Sequence, residues 1–464
     1  MTTVGLVVIG FVILLGFGAF ALVSLREGER RAATIALALA VAGSLPIFLF
    51  TLLPDGGQWI VLGVVGLAAV VGAILFLLPI GRAEWGNDEP KARIDERDIM
   101  FARARLEPGT ANYDAYYALR PENRASDDKT RSLPGLLSPE ASEANPLVYA
   151  ATDASFELCG VLDRAVDGPV VANRVDHDPA AITATVKALA RYWGARAVGV
   201  AELRPYHIYT NVGRGSGEYG APVTLNHRYA VAFTVEMDHA LVGTAPAAPT
   251  LLESAHQYAA AAQLAVQLAL FVRSQGYPAR AHIDGDYCVV APLVARDAGL
   301  GEIGRMGLLM TPDLGPRVRL GVVTTDLPLV VDGRHVDSSV LDFCRICTKC
   351  ADNCPVRAIP GGDRQEIGGV LRWRCNQEIC YRYWCTTGTD CARCVAVCPY
   401  SHPDTPLHNL VRWPVRRSGA TRRVVLWLDD LFYGSKPKPK AAPGWLPPRP
   451  SKSGKSQTCP TRMR

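Results

Sequence analysis

Charged residues are absent from three long stretches at the start of the chain. Residues 1–25, 32–54 and 56–81 contain no Asp, Glu, Lys or Arg. A helix needs roughly 20 apolar residues to cross a bilayer, so each stretch is long enough. Buried core helices are the alternative, but three such runs divided by charged or Pro/Gly-rich breaks favour a membrane anchor. We therefore predict three transmembrane helices within residues 1–82.

The basic residues around these runs predict an orientation. The loop REGER, followed by Arg31, carries three arginines, whereas the loop around PDGG carries no basic residue. Four more basic residues follow the third run, Arg82, Lys91, Arg93 and Arg97. Because Lys and Arg concentrate on the cytoplasmic side, we expect a multi-pass protein of the inner (cytoplasmic) cell membrane whose later domains face the cytoplasm. No positive charge precedes the first run, so it is not expected to be a secretory signal.

Helical and strand patterns alternate in the middle of the chain. ITATVKALARYWG predicts an amphipathic helix, and SAHQYAAAAQLAVQLALFVRSQGY predicts a long helix that ends at Gly276. AVGVAEL, YAVAFTVEM and VRLGVVTTDLPLVV are Val-rich or alternating and predict strands. Residues 151–338 are therefore predicted to form an α/β domain. Residues 83–150 are polar, with aromatics and Pro/Gly breaks, and predict an irregular wrapping segment.

Composition and charge limit the classes of function. The net charge of +5 over 464 residues is small and comes largely from the last fifty residues, so no nucleic-acid partner is expected. Residues 413–464, which include KPKPKAAPGWLPPRPSKSGKSQ, predict a basic, largely disordered tail. Ten of the 13 cysteines lie between Cys344 and Cys398. Such clustering is typical of metal ligation in a reducing compartment, here over residues 339–412.

Two cysteine runs have the spacing of bacterial ferredoxins. In C-x2-C-x2-C-x3-C-P, three cysteines wrap one 4Fe–4S cluster and the fourth ligates another. This crossed arrangement predicts one cluster on Cys344, Cys347, Cys350 and Cys398. It predicts a second on Cys354, Cys391, Cys394 and one upstream cysteine, for which the spacing allows Cys375, Cys380 or Cys385. Structural zinc is the alternative, but two runs that each end in C-x3-C-P favour iron–sulfur.

Other candidate residues carry weaker signals. The histidines show no ligand spacing and are interpreted as surface or core residues: His177, His207, His227, His239, His256 and His282. Cys159, Cys288 and Cys459 stand alone and are interpreted as ordinary cysteines. GRGSG at 213–217 resembles a phosphate-binding loop only weakly, and we interpret it as a flexible turn.

Several segments resemble the corrinoid-dependent reductive dehalogenases. AGLGEIGRMGLLMTPDLGPRVRLGVVTTDLPL, at 298–329, is similar to that family's core block, and CYRYWCTTGTDCARCVAVCPYSHP, at 380–403, to its second cluster motif. FARARLEPGTANYDAYYALRPENRASDDKTR and the helix ending in SQGYPA also match. The resemblance covers roughly residues 97–410 and implies that Cys380 is the upstream cluster ligand.

The resemblance implies both cofactors and a reaction. It implies a base-off cobalamin in a nitroreductase-like domain, reduced to Co(I) through a ferredoxin-like two-cluster module. The expected reaction replaces a carbon-bound halogen by hydrogen. No D-x-H-x-x-G stretch occurs, so no histidine ligand to cobalt is indicated. Respiratory members pair with a separate small membrane anchor, whereas the helices of this chain indicate an anchor fused in cis.

The family donates a proton from a tyrosine assisted by a basic residue. The matching positions here are Tyr258 and Arg305, since a guanidinium beside a phenol stabilises tyrosinate and lowers its pKa. A core aromatic is the alternative for Tyr258, and a loop anchor for Arg305. The alternative donors are Tyr229, Tyr277 and Tyr287, and the alternative cations are Arg317 and Arg319.

Two other functions remain open on the sequence. An epoxyqueuosine-reductase-like enzyme would use the same cofactors on a non-halogenated substrate, here tRNA, which demands a broad basic surface. A membrane ferredoxin would only carry electrons, which leaves the 151–338 domain unexplained. The expected partners are a small organohalide and a low-potential electron donor, either ferredoxin, flavodoxin or a quinol-linked system.

Overall fold

A computed structural model describes residues 1–78, 86, 88–335 and 337–448. The chain divides into two compact units. The first unit comprises Met1–Glu84, Ser338–Lys349 and Pro403–Lys438. The second comprises Trp85–Asp337, Cys350–His402 and Pro439–Arg464. Cys459 and the end of the predicted tail lie outside the described residues.

Three apolar helices open the first unit. They are α1 (Thr2–Arg26), α2 (Arg30–Leu49) and α3 (Asp55–Leu77). All three are long and apolar enough to cross a membrane, as the charge-free runs predicted. Gln58 is buried where α2 turns into α3, and its amide donates to the carbonyls of Thr51 (3.0 Å) and Leu53 (2.9 Å).

The remaining helices and strands follow in chain order. The helices are α4 (Met100–Arg103), α5 (Ala111–Leu119), α6 (Arg124–Arg131), α7 (Pro146–Asp163), α8 (Pro179–Tyr192), α9 (His239–Val242), α10 (Ala248–Ser274), α11 (Ala291–Asp297), α12 (Ser338–Ile346), α13 (Lys349–Asp352), α14 (Gln377–Thr387), α15 (Arg393–Ala396), α16 (Pro406–Arg417) and α17 (Gly419–Tyr433). The strands are β1 (Ala197–Glu202), β2 (Tyr229–Glu236), β3 (Ala279–His282), β4 (Glu302–Ile303), β5 (Leu309–Met310), β6 (Val318–Thr325), β7 (Gln365–Ile367) and β8 (Val370–Arg372). Short 3-10 turns lie at Phe50–Leu52, Glu96–Asp98, Pro121–Asn123, Pro205–His207 and Pro399–Ser401.

A four-stranded sheet lies at the centre of the second unit. Its order is β1-β2-β6-β3, and every pairing is antiparallel. Residues of α7, α8 and α10 form the core with one face of the sheet, and α11 packs against the other. Gly321 on β6 lies opposite Phe233 on β2, and a Cβ at Gly321 would meet the Phe233 ring at 2.2 Å. Only glycine leaves room for this ring in the core.

The three strands and two helices expected from the sequence all form. The predicted α/β domain is thus a mixed helix and sheet domain with an antiparallel sheet. The antiparallel pairing was not evident from the sequence, because β2 and β6 are buried on both faces and lack the alternation of a half-exposed antiparallel strand.

The structure differs from the sequence prediction at the start of the expected tail. Residues 413–464 were predicted to be disordered, yet α16 and α17 extend to Tyr433. The Arg422 side chain of α17 is buried, and its guanidinium lies 2.8 Å from the Asp342 carboxylate on α12. Lys349 likewise forms a buried ion pair with Asp429. These pairs connect Arg422 and Asp429 of α17 to residues of Ser338–Lys349.

Candidate active site

Tyr258 lies on α10 and is enclosed by protein. Part of its side chain nevertheless remains accessible. The guanidinium carbon of Arg319, on β6, lies 4.9 Å from the centre of the Tyr258 ring. The long helix α10 and the central strand β6 therefore bring a phenol and a cation together on rigid elements.

Arg319 connects this tyrosine to the cysteine-rich segment. Its Nη2 donates to the Ser254 hydroxyl at 2.7 Å and to the Asp390 carboxylate at 3.1 Å. Ser254 also donates to Asp390. Asp390 directly precedes Cys391 in the second cysteine run. A chain of direct contacts thus runs from Tyr258 to a predicted cluster ligand.

Two buried polar atoms at this position have no hydrogen-bond partner. They are Nε of Arg319 and Oδ1 of Asp390. An unpaired buried donor costs free energy unless a bound group satisfies it. The unpaired donor and the partly accessible Tyr258 therefore fit a polar group of a bound ligand beside them.

The electrostatics of the site keep the phenol protonated. Burial raises the pKa of Tyr258 above its usual value of 10, and the charge of Arg319 only partly opposes this effect. Burial likewise raises the pKa of Asp284, which lies among the cations Arg214, Arg105 and Arg319. Tyr258 is thus a neutral O–H donor at ordinary pH.

Arg305, the cation matched from the sequence, lies elsewhere. It is buried, its guanidinium donates to the carbonyls of Pro360 (2.7 Å) and Gly362 (2.6 Å), and it lies 4.9 Å from the Trp373 ring. These contacts match the loop-anchoring alternative. Among the two cations considered as alternatives, Arg319 is the one that the structure places over Tyr258.

The remaining alternatives differ in their surroundings. The Tyr277 hydroxyl donates to the Val175 carbonyl at 3.1 Å, which occupies its proton. Arg317 pairs with Glu236 at 2.9 Å. Tyr229 is partly buried at the edge of the core and lies 5.2 Å from the Arg228 guanidinium. Tyr287 lies near Tyr258, Asp284 and Arg214, so it remains a second donor candidate.

Four cysteines predicted to share the second cluster lie near one another. Burial raises the pKa of Cys394 well above 9, and the thiolate charges of Cys391, Cys350, Cys380 and Cys354 raise it further. Burial also raises the pKa of Cys391 to about 12, with contributions from Asp390, Cys380 and Cys354. Buried thiols that disfavour each other's charge need a cationic centre to be deprotonated together, which a bound metal supplies.

The candidates for the fourth ligand have different positions. Cys380 hydrogen-bonds Cys375, and the charge of Cys375 further raises its pKa, but only Cys380 contributes to the pKa shifts of Cys391 and Cys394. Cys385 accepts a hydrogen bond from Tyr381 and lines a separate cavity of about 230 Å³. Cys344 and Cys347 belong to the first unit, and Cys350 and Cys398 to the second, so the other ligand set stays a prediction from spacing.

Backbone amides near these cysteines suit an anionic cluster. Cys391 (φ 59°) and Ala392 (φ 45°) both have left-handed backbone conformations, which are uncommon for residues with a Cβ and frequent at functional sites. The Arg393 N–H donates to the Cys391 thiolate, and the Ala358 N–H donates to Cys354 Sγ at 3.2 Å. In the described part of the chain, no three His, Cys, Asp or Glu side chains converge closely enough for a single metal ion. A cubane is larger than one ion and spaces its ligands farther apart.

The sequence analysis missed Glu96 and interpreted GRGSG as a flexible turn. The GRGSG loop binds a carboxylate of the chain itself, since Gly213 N–H donates to Glu96 Oε2 at 2.9 Å and Arg214 pairs with Glu96 at 3.0 Å. A Cβ at Gly213 would lie 2.6 Å from the Glu96 backbone, so this close approach needs glycine. Asp390 was also missed, although its position next to Cys391 was a usable signal.

Three of the histidines interpreted as surface or core residues lie within hydrogen-bonding distance of other side chains. His207 lies 2.8 Å from Asp297, and both His227 and His282 lie within hydrogen-bonding distance of the Thr324 hydroxyl, at 2.8 and 3.0 Å. Burial lowers the pKa of His282 well below its usual value. These contacts agree with their interpretation as core residues.

The fold and site define a class of protein in which a mixed helix and sheet domain holds an enclosed tyrosine–arginine pair beside a cysteine cluster. No family model matches the chain. It is 32% identical over 294 residues to the tetrachloroethene reductive dehalogenase of Sulfurospirillum multivorans, which covers 56% of this chain. A solved reductive dehalogenase, described as informing a mechanism for B12-dependent dehalogenation, is 25% identical, covers 77% of this chain and superimposes with a TM-score of 0.60.

The chain is thus similar in sequence and in fold to reductive dehalogenases, as its motifs predicted. A shorter match, 32% identical over 111 residues and 23% of this chain, is to the epoxyqueuosine reductase of Staphylococcus aureus, of which it covers 28%. The chain spans 58% of the Sulfurospirillum relative and 49% of the solved dehalogenase.

Proposed function

We propose that this chain is a membrane-anchored reductive dehalogenase. It replaces a carbon-bound halogen by hydrogen. Two electrons and one proton convert the organohalide into the dehalogenated compound and a halide ion. The observation that carries the proposal is the contact of Arg319 with both Tyr258 and Asp390, next to Cys391. This contact joins a proton donor to an electron-transfer module.

In this proposal Tyr258 supplies the proton. Its O–H is neutral because burial raises its pKa, and Arg319 stabilises the tyrosinate that remains after transfer. The guanidinium also attracts the departing halide, because a buried cation interacts strongly with an anion in a space of low dielectric constant. Ser254 and Asp390 hold the guanidinium in place.

The cofactors are two 4Fe–4S clusters and a corrinoid in a nitroreductase-like domain. The corrinoid supplies the low-valent cobalt that cleaves the carbon–halogen bond. The proposed ligands of one cluster are Cys354, Cys380, Cys391 and Cys394. Those of the other, from spacing alone, are Cys344, Cys347, Cys350 and Cys398.

We propose that the three apolar helices anchor the enzyme in the inner membrane. The basic first loop favours a catalytic domain in the cytoplasm. A low-potential donor, either ferredoxin, flavodoxin or a quinol-linked system, delivers the electrons there. Lipophilic organohalides partition into the bilayer, so an anchored enzyme lies beside its substrate.

Cofactor analysis followed by a substrate panel tests the proposal. Protein purified without oxygen should contain about eight irons, matching sulfide and about one cobalt per chain. Iron without cobalt, after growth with corrinoid supplied, would indicate a membrane ferredoxin instead. Reduced viologen with halophenols and haloalkenes should then release halide. Holoenzyme that acts on epoxyqueuosine in tRNA and on no organohalide would indicate the other reductase.

A further inference from the structure

The last two described helices expose apolar side chains in stripes. On α16, Leu410 is 70% and Trp413 49% exposed, and they are three residues apart. On α17, Trp427 is 62% exposed and Val424 is 39% exposed, again three residues apart. Residues three and four apart share one helix face, so each helix presents an apolar stripe outward. A helix at a water-facing surface would show the opposite pattern.

These stripes lie at one end of the membrane helices, within the same unit. α1, α2 and α3 alternate in direction, so the end of α1, the start of α2 and the end of α3 lie on one side. Glu27 at the end of α1 lies 3.1 Å from His408 on α16. Arg31 donates to the Leu431 carbonyl at 3.2 Å, and Ser418 donates to the Leu75 carbonyl at 2.9 Å.

One contact shows how deep α17 reaches. The Phe432 ring lies 5.0 Å from the ring of Phe20, edge to face. Phe20 is six residues before Arg26, where α1 ends, which is roughly 9 Å along the helix axis. Interfacial helices bury their apolar face about 5–10 Å into the boundary between headgroups and acyl chains. The end of α17 is therefore at that depth if α1 spans the bilayer.

Basic side chains border the same stripes. The Arg417 guanidinium stacks 4.0 Å from the Trp413 ring, and both are exposed. Arg423 is exposed beside Val424. Tryptophan and arginine are the residues that occupy the headgroup level of membranes, where anionic lipids attract basic side chains.

We infer that α16 and α17 form an interfacial collar that lies in the lipid headgroup region around the cytoplasmic ends of the three membrane helices. Its occupant is the bilayer surface, with anionic headgroups against Arg417 and Arg423. α17 packs against α2 and α3, and α16 packs against α3, so the apolar stripes lie next to the membrane helices. This inference depends on the membrane anchor and not on dehalogenation.

Lipid quenching of tryptophan emission tests the collar. The full-length holoprotein is placed in nanodiscs of phosphatidylcholine and phosphatidylglycerol whose acyl chains carry bromine near the headgroups. Trp413→Phe and Trp427→Phe should each lower the quenched part of the emission. In the double variant it should fall further than in either single variant, because among the described tryptophans Trp59 of α3 then remains at the lipid. Trp445→Phe, an exposed tryptophan of the second unit, is the matched control and should leave quenching unchanged.

The charge of the collar has its own readout. Arg417→Gln with Arg423→Gln should abolish the difference in quenching between discs with and without phosphatidylglycerol. Unchanged quenching in both tryptophan variants would overturn the inference, because the helices would then face water or protein. Discs that contain two chains, with no quenching at Trp413 and Trp427, would overturn it in favour of a second copy on this surface.

Discussion

The guanidinium carbon of Arg319 lies 4.9 Å above the centre of the Tyr258 ring, and the same guanidinium hydrogen-bonds Asp390 at 3.1 Å. A single side chain therefore contacts both the proposed proton donor and the residue before a proposed cluster ligand. In the sequence these three positions are separated by 61 and 71 residues. The packing of α10 against β6 brings Tyr258 and Arg319 together, and the hydrogen bond from Arg319 adds Asp390.

The Tyr258→Phe substitution removes one oxygen and keeps the ring against Arg319. Because a positioned proton donor contributes about 10²–10⁴-fold, kcat should fall by that factor while iron and cobalt content stay unchanged. Halide release with reduced viologen is the measurement. Tyr287→Phe is the matched control and should keep its activity. If Tyr287→Phe is inactive while Tyr258→Phe is active, Tyr287 is the donor.

The two arginines should respond differently to substitution. Arg319→Gln removes the cation beside the phenol and should lower kcat by about 10²–10³-fold. Arg305→Gln loosens the loop held at Pro360 and Gly362, so it should lower thermal stability more than turnover by the folded enzyme. If Arg305→Gln alone abolishes turnover with normal cofactor content, the assignment of Arg319 fails.

The pH profile follows from the raised pKa of Tyr258. The phenol donates only when protonated, and burial raises its pKa above 10, so kcat should stay flat through neutral pH and decline only above about pH 10. Arg319 lowers this pKa, so the decline should move to still higher pH in Arg319→Gln. A decline that moves to lower pH in this variant would contradict the sign of the interaction.

The fourth ligand of the second cluster can be identified by iron content. Cys380→Ser should lower iron from about eight to about four per chain, because one cubane loses a ligand. Cys375→Ser and Cys385→Ser should retain both clusters and serve as controls of equal chemistry. Electron paramagnetic resonance of the reduced proteins reports which cluster is lost. Loss of iron in Cys375→Ser, with Cys380→Ser intact, would move the ligand to Cys375.

A buried ion pair holds the wrapping segment together. Arg103 lies 2.7 Å from Asp127, and both side chains are almost fully buried. Arg103→Met leaves the Asp127 charge without its partner and should destabilise the protein by roughly 3–5 kcal/mol. The control is Arg124→Met, which removes an exposed ion pair with Asp128 at 3.9 Å. Its loss should cost about 0–1 kcal/mol. Equal midpoints of thermal unfolding in the two variants would show that the buried pair is not needed.

Much of the fold was predictable because its signals are local. Charge-free runs gave the three apolar helices, and Val-rich segments gave β1, β2 and β6. The cysteine spacing and the family resemblance predict the cluster ligands and Tyr258, and these assignments stay predictions. By contrast, the choice between Arg305 and Arg319 depends on the turn between β4 and β5 and on which strand faces α10. No local pattern records that geometry.

The helices α16 and α17 illustrate a second limit of sequence reasoning. The basic, Pro/Lys-rich composition of residues 413–464 predicted a largely disordered tail, which included the end of α16 and all of α17. The charges of Arg422 and Lys349 are satisfied by Asp342 and Asp429, which lie about 80 residues away along the chain. Long-range ion pairs of this kind become visible only in the folded chain.

The stoichiometry of halide release tests the central claim most directly. The holoprotein in nanodiscs is given a measured amount of reduced viologen and an excess of an organohalide, and halide and oxidised viologen are counted in the same sample. We predict one halide for each pair of electrons consumed. When the reaction runs in heavy water, the product should carry deuterium on the carbon that bore the halogen in the substrate. Consumption of electrons by cobalt-containing protein without release of halide from any member of the panel would contradict the account.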